Sequence, residues 1–217
     1  MPSVSDLSQA AYCPRQLYYA RRESDRSPPP EARERQALAF RYDELRTADN
    51  ETLAALPIDC SPAAYREKLE TLATRSDWEA LCAPTETNYH VAGKDCHGII
   101  HKLLAGDPPT PTVISPGQPP KQGVWEPQTV RAVAVANALA WERNEPIPRT
   151  LVEYPTVGVV REVPLSTRRT ATYRRVLRTV RAMDGPPPRV NDGRCKSCEY
   201  RTKCGVTTRS LRSLLGL

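Results

Sequence analysis

The sequence of 217 residues is long enough for one domain with a small appendage, and 39% hydrophobic residues suffice for one buried core. It contains no apolar run of about 18 residues, and its first residues lack the features of a signal peptide, so no membrane partner and a cytoplasmic location are predicted. The formal charge is +6, and only six of the 31 basic residues are lysines. Because arginine binds phosphate in a bidentate fork, this composition favours a nucleic-acid partner, with a GC-rich coding sequence as the alternative explanation.

The N-terminal part of the chain is predicted to be helical. Residues 3–22 form a helix in two pieces, broken at Cys13-Pro14, because proline is tolerated in the first turn of a helix. Residues 31–56 are predicted to be helical and dense in charge. A further helix is predicted over residues 61–81, where a serine cap is followed by a proline at the first helical position.

After residue 85 the pattern changes to alternating strands and helices. It predicts a hairpin, a third strand, an unusually apolar helix, two further strands and a basic helix. In order, these elements are residues 89–91, 98–104, 112–114, 127–143, 149–154, 157–163 and 166–183. The predicted fold class is α/β, with a small mixed β-sheet flanked by helices, and the order is compatible with a β-β-β-α-β core.

The cysteines indicate a metal site. Seven cysteines, an odd number, in a chain predicted to be cytoplasmic favour metal ligation over disulfides. Cys195, Cys198 and Cys204 have the spacing C-x2-C-x5-C, and Cys13 is the natural fourth ligand of a zinc ion or a cubane iron–sulfur cluster. A buried Cys13 without a metal is the alternative. The cysteines without such spacing are predicted to be ordinary thiols: Cys60, Cys82 and Cys96.

The cysteine motifs carry a family resemblance. The run Ala-Tyr-Cys-Pro-Arg-Gln-Leu-Tyr-Tyr at residues 11–19, together with C-x2-C-x5-C near the end, resembles the CRISPR-associated RecB-like four-cysteine exonuclease family of the PD-(D/E)xK superfamily. The resemblance implies a [4Fe–4S] cluster on the four cysteines, which clasps the N- and C-terminal segments together. It implies a restriction-endonuclease-like core at 86–183, between an N-terminal helical region at 1–85 that contributes Cys13 and a cysteine segment at 184–217.

The same resemblance implies a degenerate active site. Family members cleave DNA at a metal held by Gly-h-h-Asp (h is apolar) and a following (D/E)-x-K triplet. Here His101 stands at the aspartate position, Ser115 at the acid position and Gly117 at the lysine position, while Gln128 resembles the family's helical glutamine. None of the six lysines has an acidic residue two positions before it, so no (D/E)-x-K triplet exists. The resemblance implies a DNA-binding protein of CRISPR adaptation, an antiviral defence, which binds DNA ends or single strands beside the integrase proteins and is catalytically impaired.

Three alternatives stay open at this point. An active metal-dependent exonuclease, loaded with Mg²⁺ or Mn²⁺, could use migrated residues; the candidates are Asp95, Asp107, Glu126 and Lys121. A histidine-type metal site could combine His90 and His97 with His101. The chain could also be a zinc- or cluster-stabilised structural module without DNA function.

The helix predicted at 166–183 has one apolar and one basic face. At 100° per residue, Arg174, Arg178 and Arg181 lie in line. They are flanked by Arg168, Arg169 and Arg175. Such a face predicts contact with DNA phosphates, and a solvated charged surface is the alternative.

Overall fold

The structure is a computed structural model that describes residues 1–23, 27–190 and 192–205. Within those ranges, the helices are α1 (Val4–Tyr12), α2 (Pro14–Ala20), α3 (Pro30–Ala37), α4 (Tyr42–Thr47), α5 (Asn50–Ala54), α6 (Pro62–Ala73), α7 (Trp78–Cys82), α8 (Glu126–Arg143), α9 (Thr167–Arg181) and α10 (Arg201–Cys204). The strands are β1 (Glu86–Ala92), β2 (His97–Leu104), β3 (Thr110–Ile114), β4 (Arg149–Tyr154) and β5 (Val159–Pro164). None of these helices combines the length and apolar composition that crossing a bilayer requires.

The five strands form one mixed sheet in the order β1-β2-β3-β4-β5. The pairs β1–β2, β2–β3 and β4–β5 are antiparallel, whereas β3 and β4 are parallel. A parallel pair requires a crossover connection, and α8 provides it. The predicted mixed sheet flanked by helices is therefore confirmed.

Each face of the sheet is covered by helices. On one face, α1, α8 and α9 enclose a core to which Val4, Leu7, Val133 and Leu177 contribute. On the other face, the short helices after residue 30 form a second core around Tyr65. The helix predicted at 127–143 is buried almost all round, which explains its continuous apolar pattern.

Several predicted boundaries agree with the structure. The first helix is broken at Cys13-Pro14, as predicted, and Pro14 is the first residue of α2. The Ser61 hydroxyl accepts a hydrogen bond from the amide of Ala64 and so caps α6. Ser166 caps α9 in the same way, by accepting from the amide of Arg169.

Two predicted helices are wrong in their extent. The helix predicted at 61–81 ends at residue 73, because the Arg75 guanidinium binds the Asp77 carboxylate through two hydrogen bonds of 2.7 and 2.8 Å. Residues two apart do not face each other on a helix, so this pair requires a turn there. The helix predicted at 31–56 is divided into α3, α4 and α5, and Asp49 caps the last of them.

The third strand is also shorter than the degenerate motif requires. β3 ends at Ile114, so Ser115 and Gly117 lie in the loop that follows the strand. Ser115 still donates its amide to the carbonyl of Glu153 at 2.8 Å, whereas Gly117 is exposed, and a Cβ placed on it would meet no atom within 4 Å. The residue that the resemblance places at the lysine position therefore lies in the loop after β3.

The C-terminal cysteine segment folds back onto the first two helices. It consists of a 3-10 turn at Gly193–Ser197 followed by α10. Residue 191 and residues 206–217 of the segment predicted at 184–217 lie outside the described residues.

Candidate functional site

His101 lies where the pairing of β2 with β1 is interrupted and the pairing of β2 with β3 ends. The pairing of β1 with β2 skips Asn88 and His101, and Asn88 has a φ of 51°. The pairing of β2 with β3 ends at Lys102 and Thr112. The His101 side chain fills the resulting gap, and its Nδ1 accepts a hydrogen bond of 2.9 Å from the amide of Ile114. The imidazole thus replaces the missing ladder bond to β3.

This hydrogen bond fixes the protonation of the ring. A backbone amide can only donate, so Nδ1 carries no proton and the neutral ring carries its proton on Nε2. Burial lowers the pKa of His101 to about 3, and the nearby charges of Arg131 and Lys102 lower it further in the same direction. His101 is therefore neutral, and its Nε2–H is a donor.

The Arg131 guanidinium lies beside that donor. It projects from α8, and its Nη2 lies 3.3 Å from Nε2 of His101. Burial lowers the pKa of Arg131 to about 10, and its Nε has no hydrogen-bond partner among the described residues. Within residues 1–23, 27–190 and 192–205, no carboxylate forms an ion pair with it. The sequence analysis missed Arg131, although a single charged residue inside the apolar run 130–136 was the available signal.

The other predicted site residues are only partly brought together. The Gln128 amide donates to the Ser115 hydroxyl at 3.3 Å, so both lie beside His101 and Arg131, at the ends of β3 and α8. The Gln128 Oε1 has no partner. An imidazole, a hydroxyl, an amide and a guanidinium therefore meet here. Because Mg²⁺ requires several oxygen ligands and is repelled by a cation, this set is unsuited to it.

Two clefts meet at Arg131. The first, here the aromatic cleft, has a volume of about 820 Å³ and is lined by Tyr12, Trp125, Gln128, Arg131 and Arg194, among others. The second, here the histidine cleft, has a volume of about 790 Å³ and contains all three histidines of the chain. Its basic lining residues are Arg33, His90, His97, His101 and Arg131. Among residues 1–23, 27–190 and 192–205, no acidic residue lines the histidine cleft.

The predicted histidine metal site is not formed. Although the three histidines share a cleft, the described part of the chain contains no group of three or more His, Cys, Asp or Glu side chains arranged to hold a metal ion. The histidines therefore line the cleft with imidazole groups but do not form a chelating site.

The four cysteines of the predicted cluster line one small cavity. Cys13, Cys195, Cys198 and Cys204 enclose a volume of about 20 Å³. Burial raises the pKa of the Cys198 thiol, and the other three thiols of the set raise it further. Thiolates suit zinc or iron by their chemistry, but among the described residues these four side chains, like the histidines, are not arranged as a group that could hold a metal ion. A cavity of this size has room for about one water-sized group.

Direct contacts also join the two ends of the chain at this cavity. Tyr19 stacks on Tyr200 with ring centroids 5.8 Å apart, and its hydroxyl donates to the carbonyl of Lys203 at 3.1 Å. Arg15 donates to the carbonyl of Pro187 at 2.7 Å. The N-terminal helices and the cysteine segment therefore form one surface.

The migrated acidic residues do not assemble a site. Glu126 lines the aromatic cleft, but its carboxylate is bound to Arg175 at 2.8 Å. Asp95 is bound to Arg181 at 2.8 Å. Neither Asp107 nor Lys121 lines either cleft.

The predicted basic face of α9 is exposed, and its arginines differ in their partners. Arg175 and Arg181 are neutralised by Glu126 and Asp95, and Arg169 donates to the carbonyl of Pro164 at 2.9 Å. The exposed side chains without a hydrogen bond or ion pair to other described residues are Arg168, Arg174 and Arg178. The face therefore offers fewer available charges than six arginines suggest.

Comparisons with known proteins add no assignment. No model of a protein family matches the chain, and no curated protein is significantly similar to it. The likeness to the RecB-like exonucleases therefore rests on the cysteine-containing motifs of the sequence.

Proposed function

We propose that this chain binds DNA ends or single strands without cleaving them. The observation that carries the proposal is the meeting of two clefts at Arg131. One has aromatic and basic side chains in its lining, together with Glu126, and the other has histidines and arginines and no carboxylate from the described part of the chain. Single-stranded nucleic acid is bound by this combination, since bases stack on aromatic rings while cations hold the backbone.

The aromatic cleft supplies the stacking surfaces. Trp125 is 52% exposed, although a tryptophan side chain is usually largely buried. Its Nε1 donates to the carbonyl of Gln118 at 2.9 Å, which restrains the ring. Tyr12 lines the same cleft, with the Arg194 guanidinium 5.3 Å from the centre of its ring. A restrained, exposed ring can stack on a base at a low entropic cost.

The absence of cleavage follows from the chemistry of the residues beside Arg131. Metal-assisted phosphodiester hydrolysis needs carboxylates that hold a divalent ion and a water molecule at the scissile phosphate. His101, Ser115 and Gln128 provide no negative charge, and Arg131 is a cation. We therefore expect binding without turnover.

The cysteine cavity is proposed to hold a [4Fe–4S] cluster, with a zinc ion as the alternative. Cys13, Cys195, Cys198 and Cys204 would be its ligands, and the cluster would join the two ends of the chain covalently. The support is the shared cavity of the four thiols and the resemblance of the two cysteine motifs. From the resemblance alone, we propose a setting in CRISPR adaptation, with the integrase proteins as partners.

The experiment is an end-labelled DNA assay on anaerobically purified protein. Binding and cleavage are measured on the same single-stranded and duplex substrates, at low salt, with and without Mn²⁺, and the visible absorbance of the protein reports an intact cluster. The proposal predicts binding with no products. Unmeasurable binding at low salt would favour a purely structural module, since phosphate contacts are strongest there.

A migrated active site is the second candidate, because Glu126 lines the aromatic cleft. It predicts chelator-sensitive cleavage that Glu126→Gln abolishes. A matched control is Asp107→Asn, which changes an acidic residue outside both clefts. Cleavage lost only in the first variant would establish an enzyme and refute the binding-only proposal.

A further inference from the structure

We propose that the Arg131 guanidinium and the Nε2–H of His101 form a binding site for one phosphate group of the nucleic acid. The inference deepens the proposed function and rests on it for the source of the phosphate. The family resemblance places a metal cation at the position of His101, whereas the ligand proposed here is an anion.

The first argument is the mutual orientation of two donors. The Ile114 amide donates to Nδ1 of His101, so the proton of the neutral ring is on Nε2. That N–H faces Nη2 of Arg131 at 3.3 Å, and an arginine nitrogen is also only a donor. Two donors cannot satisfy each other. An oxygen that accepts from both resolves the conflict, and each phosphate oxygen can accept two hydrogen bonds.

The second argument is the missing counter-charge. The Arg131 side chain is enclosed between β2, α1 and α8, yet none of the described residues supplies a carboxylate to it, and its Nε donor is unpaired. Arg131 is half-buried, and a partly desolvated cation without an anion is unfavourable. Several other arginines with partly buried side chains have a carboxylate partner; Arg21 lies 2.8 Å from Asp6, and Arg35 lies 3.0 Å from Asp59. Arg131 therefore has the environment of a ligand-binding arginine.

The third argument is access and charge selection. His101 is 9% exposed, so the donors lie at the base of the histidine cleft, and Arg131 is reached from both clefts. The histidine cleft has Arg33 in its lining and no acidic side chain from the residues that the structure describes. Such a lining concentrates anions and excludes cations. The neutral polar residues of the same cleft can bind a sugar or water: Ser3, Ser5, Gln36 and Asn88.

A terminal phosphate and a backbone phosphate present the same oxygens to this site. The two sources can be distinguished, because an oligonucleotide with a 5′-hydroxyl lacks the terminal phosphate and keeps its backbone phosphates. The experiment separates them by using two oligonucleotides of identical sequence, one with a 5′-phosphate and one with a 5′-hydroxyl.

The test compares Arg131→Met with Arg143→Met. Arg143 is at the other end of α8, is exposed and lies 3.7 Å from Glu86, so its replacement removes the same charge from the same helix away from the clefts. The affinity of wild type and both variants for the two oligonucleotides is measured by fluorescence anisotropy at fixed low salt. We expect Arg131→Met to weaken binding about tenfold or more and Arg143→Met to weaken it less than about twofold.

The pattern of loss identifies the phosphate. If wild type prefers the 5′-phosphate and Arg131→Met removes that preference, the site binds a terminal phosphate. If Arg131→Met weakens both oligonucleotides equally, the site binds a backbone phosphate. Equal affinities of Arg131→Met and Arg143→Met for both oligonucleotides would overturn the inference.

Thermal unfolding provides an independent readout with inorganic phosphate as the ligand. Because a half-buried cation without an ion pair to the other described residues is removed, Arg131→Met is expected to melt at or above the Tm of wild type in phosphate-free buffer, which also shows that it folds. Added phosphate is expected to raise the Tm of wild type and of Arg143→Met, and to leave Arg131→Met unchanged at matched ionic strength. If added phosphate gives this pattern of Tm values but wild type binds no DNA, the proposed function is refuted and the phosphate site is retained. An equal rise in all three proteins would overturn the site.

Discussion

The Nζ of Lys102 lies 2.9 Å from Oε2 of Glu153, and neither side chain is exposed to solvent. The pair is completely satisfied, since Lys102 also donates to the carbonyls of Ala39 and Leu81, and Thr112 donates to the other carboxylate oxygen at 2.6 Å. The lysine thus connects β2 and β4 of the sheet with the helices that cover its second face.

Breaking this pair is expected to destabilise the fold strongly. Lys102→Met leaves the Glu153 carboxylate buried without a cation, and we expect the free energy of unfolding to fall by about 3–5 kcal/mol. The double variant Lys102→Met, Glu153→Leu removes both charges and is expected to recover most of this loss. Urea unfolding monitored by circular dichroism measures both changes. A single variant as stable as wild type would show that the pair is not buried in solution.

The buried His101 predicts a particular dependence of stability on pH. The pKa of His101 is about 3 in the folded protein, whereas an unfolded histidine has a pKa of about 6.5. Its contribution is therefore fully present above about pH 6.5 and is lost as the pH falls towards 3, because only the unfolded chain binds the proton. At pH 4.5 the loss is about 3 kcal/mol.

The comparison of wild type with His101→Asn isolates this effect, because the Asn oxygen can accept from the Ile114 amide and does not titrate. The groups that face His101 are Arg131 from α8 and Lys102 from its own strand, and both oppose its protonation. Urea midpoints at pH 7.5 and 4.5 are expected to differ more in wild type than in the variant. An identical pH dependence in both proteins would contradict the assignment.

Metal loading is expected to depend on four of the seven cysteines. Cys198→Ser and Cys13→Ser should each lose most of the bound metal, because each removes one ligand from the shared cavity. Cys82→Ser is the matched control, since Cys82 is half-buried and packs in the second core. Iron, acid-labile sulfide and zinc are measured on anaerobically purified protein. Full metal content in Cys13→Ser would exclude Cys13 as a ligand.

The exposed face of α9 predicts a salt-dependent contribution to DNA binding. Arg174→Ala with Arg178→Ala is expected to weaken single-strand binding about tenfold at low salt, and to reduce the slope of log K against log salt by about 1.4, since each phosphate contact contributes about 0.7. The control is Arg41→Ala with Arg46→Ala, which also removes two charges from residues already paired with acids.

The control is expected to bind with an unchanged slope. Equal losses in the two double variants would mean that only net charge matters, and α9 would then be an ordinary solvated surface.

The elements with a regular pattern could be predicted from the sequence. The helix at α8 has a continuous apolar run, and the hairpin of β1 and β2 has a turn at Gly93, so periodicity and turn residues identified both. The end of a helix was harder to predict where a local side-chain pair competes with the helical conformation. The pairing of Arg75 with Asp77 ended α6 early, although the surrounding residues have an adequate helix propensity.

The contacts of two charged residues, Lys102 and Arg131, could not be predicted. Lys102 and Arg131 are single charges within apolar runs, and their partners lie far along the chain, Glu153 at 51 residues from Lys102 and His101 at 30 residues from Arg131. A sequence gives no register between strands and no packing angle for a helix. The cysteine cavity was predictable, because spacing alone places three of its four thiols together.

The packing of α1 against α8 and α9 has a consequence for synthesis. At about 5–20 residues per second, the roughly 170 residues between the end of α1 and the end of α9 take on the order of 10–30 s to emerge. Until α8 and then α9 emerge, the apolar side of α1, which carries Val4, Leu7 and Ala10, is only partly covered and is a target for chaperones. A ribosome that stops before α9 therefore releases a chain with an unprotected beginning as well as a missing end.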